Sequence, residues 1–427
     1  MKKSFIRTIS VAALGIGSLV TLAACGGVKA TPYEVGKPVK IGLICLHDDK
    51  STYDANFINA IKEAAKDLGN DKVLLEDACI LTGVNEDQAC LDAAKDLVKK
   101  GCNVVFADSF GHQDYMLEAA KKWPEVQFCH ATGTNAKTAK LANYHNAFAS
   151  IYQGRYLAGY AAGLKLSISN AADFDGEKAV KVGYVGAFPY AEVKSGYTSW
   201  FIGLRSALSE ASLNVNKLSM DVEFTNSWYD VNKEQSAAEK LIKGGAILIS
   251  QHADSMGAPG ACEKAGIPNV TYNIETKDQC KNTYLAYSRI NWAPYYKAVV
   301  NAVFAGKGIE GELNSNWTGT LASGSVEYNV NWDNMGELSD AVAVAAAQVK
   351  FTAVAAEIAA GTRQVFDCDN FTVKGQKLTS YKADTDGDFV GETEVIEKVN
   401  GKDVFMESKY CSAPYFDIDI DGINLPQ

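Results

Sequence analysis

The sequence predicts an α/β protein of two similar lobes, each a doubly wound parallel sheet, joined by a hinge with a ligand cleft between them. Two observations predict it. First, the chain repeats itself. Val39-Lys40-Ile41-Gly42-Leu43-Ile44 returns as Val180-Lys181-Val182-Gly183-Tyr184-Val185. Leu97-Val98-Lys99-Lys100-Gly101, leading into Asn103-Val104-Val105-Phe106-Ala107, returns as Leu241-Ile242-Lys243-Gly244-Gly245, leading into Ala246-Ile247-Leu248-Ile249-Ser250. Trp123-Pro124-Glu125-Val126 is echoed by Gly266-Ile267-Pro268-Asn269-Val270, and all three offsets fall between 141 and 144 residues. A constant offset over this length marks one duplicated unit. Second, each half alternates short Val/Ile-rich runs with amphipathic stretches, the pattern of βαβ units with right-handed crossovers. Ligands of such sheets bind beyond the carboxyl ends of the strands, so two facing lobes make a cleft.

Taken in order, the chain opens with Lys2, Lys3 and Arg7, then an apolar run from Ile9 to Ala24 ending in Leu22-Ala23-Ala24-Cys25-Gly26. A charged head, a short apolar run and small residues before a cysteine read as an export signal cut ahead of a lipidated residue. Residues 1–24 are therefore expected to be removed, Cys25 to carry the lipid, and residues 25–37 to tether the fold outside the cytoplasm. Phe57, Ile58, Ile61, Ala65 and Leu68 share one helical face, and Gly69 ends that helix. The first lobe is expected over 38–146 and the second from 147. A strand at Tyr272 and a helix from Trp292 should carry 272–311 back to the first lobe. The remainder, 312–427 with an alanine-rich helix in the 340s, should complete the second lobe. Three crossings make a hinge whose closure traps a ligand.

The chain has 41 basic and 51 acidic side chains, a net charge of −10. The leader holds three of the basic ones and no acid, so the mature chain is more acidic still, at −13. That argues against nucleic acid and against an electrostatic role at a membrane surface, both of which need basic faces. No apolar stretch after the leader is expected to approach membrane-spanning length. Of ten cysteines, Cys25 is assigned to the lipid and nine remain, an odd number. Cys45, Cys102 and Cys129 sit in or beside apolar runs and read as buried thiols. Cys79/Cys90, Cys262/Cys280 and Cys368/Cys411 are possible bridges that spacing alone does not assign.

The residues after the expected strands carry a family resemblance. They are Thr52-Tyr53-Asp54, Asp108-Ser109-Phe110-Gly111-His112-Gln113-Asp114-Tyr115-Met116, His130-Ala131-Thr132-Gly133 and Tyr152-Gln153-Gly154-Arg155-Tyr156-Leu157-Ala158-Gly159. They continue with Phe188-Pro189-Tyr190-Ala191-Glu192-Val193, Asn226-Ser227-Trp228-Tyr229-Asp230, Gln251-His252-Ala253-Asp254-Ser255 and Trp292-Ala293-Pro294-Tyr295-Tyr296. In these segments, and over nearly the whole mature length, the chain resembles the basic membrane protein family of ABC substrate-binding lipoproteins. The resemblance implies a type I periplasmic-binding fold, a permease and its ATPase as partners, and a purine-type ligand. One branch of that family takes nucleosides and holds the ribose with the aspartate of a Gly-Val-Asp segment. Here Thr271-Tyr272-Asn273 stands in its place, which favours the adenine-binding branch. That branch also places a tryptophan where this chain has Ser51.

A purine needs aromatic faces and a few directed polar partners. Tyr53, Phe110, Trp228 and Trp292 can each stack on it or pack beneath a loop. Asp114 and Asp254 can accept from an amine or cap a helix, and Asp54, Glu192 and His252 complete the candidate ligand set. His47, His112, His130 and His252 all follow strands, but no His-x-x-His or His-x-x-x-His spacing supports zinc, and no metal or cofactor is expected. Asp417-Ile418-Asp419-Ile420-Asp421-Gly422 opens like a calcium loop, yet the chain ends before its twelfth position and the alternation reads as a strand. Asp384-Thr385-Asp386-Gly387-Asp388 reads as a hairpin turn. No nucleophile elbow, Walker loop or Cys/His pair points to catalysis. The expectation is a monomeric, lipid-anchored binding protein of an importer and no enzyme, with a ligand sensor of the same fold or a binder of another small solute as alternatives.

Overall fold

A computed structural model describes residues 28–426; the expected export signal, Cys25 and the start of the expected tether lie outside the described residues. Val28, Ala30 and Tyr33 pack against the first lobe, and Gly36 N–H bonds the carbonyl of Phe304 at 3.1 Å. This part of the expected tether lies on the fold because its apolar residues find a surface to cover.

The first lobe starts with β1 (Val39–Ile44), followed by α1 (Thr52–Leu68), β2 (Val73–Leu74), β3 (Ile80–Leu81), α2 (Gln88–Lys99), β4 (Val104–Ala107), α3 (Gln113–Lys122), β5 (Gln127–Ala131), α4 (Ala136–Ala139) and β6 (Tyr144–Ala149). Ser51 caps α1, and Gly69 ends it with φ +75°. The second lobe runs α5 (Tyr152–Ser169), β7 (Val180–Gly186), α6 (Ala191–Glu210), β8 (Leu218–Phe224), α7 (Val231–Lys243), β9 (Ala246–His252), α8 (Gly257–Ala265), β10 (Asn269–Tyr272) and β11 (Tyr284–Ile290). Then come α9 (Ala293–Phe304), α10 (Ile309–Glu312), β12 (Asn316–Gly319), β13 (Val326–Val330) and α11 (Ala341–Ala359). The C-terminal segment holds hairpins β14 (Lys382–Ala383) with β15 (Thr393–Glu394) and β16 (Ile396–Val399) with β17 (Lys402–Phe405), then β18 (Ile423–Asn424).

The two sheets share one order. In the first it is β2-β1-β4-β5-β6-β12, with β3 also on β1; in the second it is β18-β8-β7-β9-β10-β11-β13. All ladders in the first are parallel; in the second only β13, against β11, is antiparallel. The repeated strands β1 and β7 hold equivalent central places, as duplication requires. In the second lobe α5 and α6 cross so closely that a Cβ on Gly159 would lie 1.9 Å from the Trp200 carbonyl oxygen, and one on Gly203 2.1 Å from that of Tyr156. Only glycine permits that approach.

Three expectations need correction. The strand after Tyr272 does not return to the first lobe: β11 pairs in parallel with β10, from Asn269↔Tyr284 to Tyr272↔Ser288. The chain crosses only at Asn291. It also stays longer in the first lobe, because β12 pairs with β6. The excursion is thus 291–319, and the crossing segments are tied together by Ser150 N–H to Gly319 O (2.8 Å) and Asn291 N–H to Ser325 O (2.9 Å). Next, all nine cysteines among the described residues are buried and free. The proposed pairs face other partners: Cys90 Sγ meets the His112 carbonyl, and Cys411 Sγ meets Asn316. Finally, Leu338–Ala359 is by length and composition apolar enough to cross a membrane. Its Ala347, Phe351, Val354, Ala355 and Ile358 are buried in the second lobe's core, while Leu338, Val342 and Val349 stand exposed.

Residues 417–421 alternate as expected, Ile418 and Ile420 in and the aspartates out, but form no ladder. Lys194 bridges Asp417 and Asp419 instead. The Asp384–Asp388 loop is the turn of a hairpin, in which the Asp384 carboxylate accepts the amides of Asp386, Gly387 and Phe389.

Candidate functional site: the inter-lobe cleft

The carboxyl ends of β1, β4 and β5 face those of β7, β8 and β9. Leu46, His47, Ser109, Phe110 and Thr132 come from the first set, and Glu192, Trp228, His252 and Asp254 from the second. Tyr53 and Asp54, in the first turn of α1, complete the lining of a gap holding about 390 Å³ of unfilled space, of which only about 20 Å³ would take the centre of a water. The lobes are shut. Thr52 N–H on one side bonds the Asp254 carbonyl on the other at 2.8 Å, and His47 meets Tyr229 at 5.7 Å between ring centres. At the mouth Phe110 of the first lobe stacks on Tyr190 of the second (5.8 Å, 30°), Tyr190 on Phe188 (5.1 Å, 14°), and Phe188 meets Trp228 edge-on at 5.1 Å.

Polar groups in the floor are tightly arranged. Tyr53 Oη donates to the Asp108 carbonyl at 2.9 Å. Asp54 accepts the His47 amide (2.8 Å) and the Ser51 hydroxyl (2.5 Å). Burial alone would raise the Asp54 carboxyl, but hydrogen bonds from His47 and Ser51 hold it below the usual carboxylate range. Asp108, fully buried beside it, is pushed well up by burial and by the Asp54 charge. Asp254 is likewise pushed well up, by burial first and then by Glu234, Asp54 and Glu192. Carboxyls in and beneath one cleft are thus pushed in opposite directions. His252 Nε2 lies 3.4 Å from Glu192 Oε1, and burial together with the Arg155 cation depresses the ring to about 4.

Seven of the nine candidate ligand residues, Tyr53, Asp54, Phe110, Glu192, Trp228, His252 and Asp254, line this gap. Two do not. Trp292 is 1% exposed and packs in the first lobe's core, stacked on Phe57 at 4.4 Å. Asp114 is an exposed first-turn residue of α3. Sequence reasoning missed Leu46, His47, Ser109 and Thr132 as lining and Tyr190 as a rim; all but Leu46 and His47 lay in the matched segments. Of the strand-end histidines, His112 and His130 lie below the cleft, each with Nε2 on a carbonyl (Val84 at 2.9 Å, Ser109 at 2.7 Å). Cys45, Asp54 and Asp108 are close enough to share an ion, but Asp54 is already engaged by the His47 amide and the Ser51 hydroxyl. A wider groove on the second lobe, holding about 1540 Å³ of unfilled space and bordered by Arg205, Arg363 and Lys402, opens at the far end of α6.

Comparison with known proteins agrees with this architecture. Residues 44–312 match the profile of a family described as ABC transporter substrate-binding protein, PnrA-like. A purine-binding protein of Brucella abortus is 32% identical over 272 residues, covering 64% of this chain and 67% of that one. A putative ABC transporter glucose-binding protein of Haloferax volcanii is 30% identical over 204 residues, 48% of this chain and 46% of that one. Among solved structures, solute-binding proteins of ABC transporter systems share the fold. That from Aeropyrum pernix has TM-score 0.59 at 12% identity, over 82% of this chain and 95% of its own. That from Conexibacter woesei has TM-score 0.56 at 19% identity, over 76% of this chain and 98% of its own.

Proposed function

The chain belongs to the PnrA-like family of ABC transporter substrate-binding proteins, and on that footing we propose that its cleft takes a purine, the free base in preference to the nucleoside, and delivers it to a membrane permease. In the same reading lipid on Cys25 holds a monomeric chain at the outer side of the membrane, and no chemical turnover occurs. The observation that carries the ligand class is the make-up of the gap: Tyr53, Phe110 and Trp228 supply flat faces from both lobes, and Glu192 and Asp254 stand between them. A buried heteroaromatic gains area burial plus roughly 0.5–1.5 kcal/mol per stacked pair. Carboxyls around its edge suit an exocyclic amine. The Brucella relative's purine-binding name supports the class.

Asn273 supports the lean toward a free base. It is buried with φ +70°, and its Nδ2 reaches Asp254 Oδ1 at 3.3 Å. The side chain is engaged with Asp254 and brings no carboxylate to a ribose. Calorimetry with adenine, guanine, adenosine, inosine, ribose and glucose tests the proposal. Adenine should bind most tightly, and Phe110→Ala should weaken it about tenfold, since a decade is about 1.4 kcal/mol. Tight binding of glucose or ribose with no purine response would overturn the ligand class. Adenosine binding far above adenine would overturn only the choice of base.

A further inference from the structure

We propose that Arg155 is a positioning residue that fixes the tautomer of His252, so that the ligand meets an N–H at Nε2 and a bare lone pair is kept away from the cleft. Arg155 lies in the first turn of α5 and is 1% exposed. Its guanidinium sits 3.4 Å from the centre of the Tyr272 ring, and Nη1 donates to the Gln251 carbonyl at 2.8 Å. Nε and Nη2 have no partner. An arginine does not deprotonate in a protein, and buried donors left unpaired are costly, so this cation needs an acceptor close by.

His252 stands against the same Tyr272 ring, edge-on at 4.7 Å, and its Nδ1 is also buried without a partner. Both unpartnered groups border the side of α6 where Gly196 has no side chain, with no hydrogen bond between them. A Cβ there would lie 3.5 Å from Arg155 Nε and 2.9 Å from His252 Nδ1. An N–H on Nδ1 would set a positive edge toward the guanidinium, whereas a lone pair there sets a negative one toward it. The neutral ring carries one proton, so that proton sits on Nε2, which lies 3.4 Å from Glu192 Oε1 with no hydrogen bond between them. Around the ring, Arg155 opposes a second proton and Tyr272, pushed up by burial, stays neutral, while Glu192, and Asp254 when ionised, favour one. Burial and the nearby cation prevail and leave the ring neutral.

The cleft therefore presents a donor, His252 Nε2–H, beside an acceptor, Glu192. That pairing fits an edge on which an acceptor adjoins a donor, as N7 and the 6-amine of a 6-aminopurine do. The corresponding edge of a 6-oxopurine shows two acceptors. This last step rests on the purine reading; the tautomer itself does not. The test is nitrogen-15 NMR of His252 in the ligand-free chain. The parent should show the neutral Nε2–H form from pH 5 to 8. Arg155→Met, which keeps length and removes charge, should raise the His252 pKa by at least one unit and let Nδ1–H appear, with Arg155→Lys in between. A purely structural role would lower the melting temperature and leave both signals unmoved. Nδ1–H in the parent, or an unchanged tautomer and pKa in a folded Arg155→Met, overturns the proposal. The parent spectrum decides alone if the variant does not fold. In calorimetry, Arg155→Met should narrow the preference for adenine over guanine about tenfold. Absence of purine binding would remove the ligand reading and leave the NMR result standing.

Discussion

Trp228 and Trp292 each follow a strand by a few residues, yet they end in opposite surroundings. Trp228 is half-buried at the cleft mouth among Phe188 and Tyr190. Trp292 begins α9 and points back into the first lobe, between Phe57, Phe148 and Tyr295. The loop after β8 runs over an open strand end, so its large side chain has only the facing lobe to meet. The chain after β11 is instead leaving its sheet to pack a helix against α1 and the first lobe's core, and the tryptophan anchors that crossing. One aromatic closes a cleft; the other joins two lobes.

The largest effect expected from this contrast is on stability. Trp292→Ala empties a fully buried site and should cost about 3–5 kcal/mol, seen as a large fall in the urea midpoint. Trp228→Ala should cost under about 1 kcal/mol in the same assay but weaken ligand binding about tenfold. Equal losses of stability in the two variants would break the distinction between rim and core.

The same contrast shows what was legible in the sequence. Hydrophobic runs and their repeat located β1 and β7 and the residues beyond them, because parallel strands buried on both faces leave long apolar runs. That placed Tyr53, Asp54, Phe110, Glu192, Trp228, His252 and Asp254 near one another. Pattern does not say which sheet a strand joins. Tyr284–Ile290 reads identically in either lobe, and only its pairing with β10 fixes it. Nor does pattern give the direction of a side chain in the first turn after a loop, which is why Trp292 and Asp114 were misplaced. Arg155 was visible as a letter in a matched segment, but its meaning depends on the glycine that faces it from α6.

An intermediate effect separates the cleft's acids from one that serves the scaffold. Glu407, in the C-terminal segment, is buried, and burial pushes its carboxyl up to about 8 although the Tyr415 amide donates to it at 3.4 Å. The folded chain holds this proton while the unfolded chain releases it near 4.5. Between those values the folded state binds more protons, so stability falls as pH rises, by up to about 1.4 kcal/mol per pH unit. His252 acts in the opposite sense: its folded pKa of about 4 lies below 6.5, so it removes stability as pH falls through that window. Above about pH 7 the carboxyl's slope stands clear of it. Glu407→Gln cannot titrate and should be more stable than the parent at pH 8 by more than about 1 kcal/mol, with a flatter pH profile in urea unfolding. Parallel profiles for the two proteins would show that Glu407 ionises freely in the fold.

The smallest effect expected is at Asp114. It was a candidate acceptor for the ligand, but the fold sets it in the first turn of α3, exposed and outside the cleft lining. Its carboxylate there faces the partial positive charge of a helix start, an interaction worth typically 0.3–1 kcal/mol. Asp114→Asn keeps the shape and removes the charge. Stability should therefore fall by a few tenths of a kcal/mol, with less loss in high salt, because an exposed charge is screened. Ligand affinity should stay within a factor of two. Paired with Asp254→Asn, the comparison becomes sharp: Asp254 is 4% exposed, lines the gap and carries the backbone bond that joins the lobes at Thr52. If Asp114→Asn weakened binding as strongly as Asp254→Asn, α3 would have to swing toward the cleft when ligand enters. The shut arrangement of the lobes would then not be the ligand-bound one.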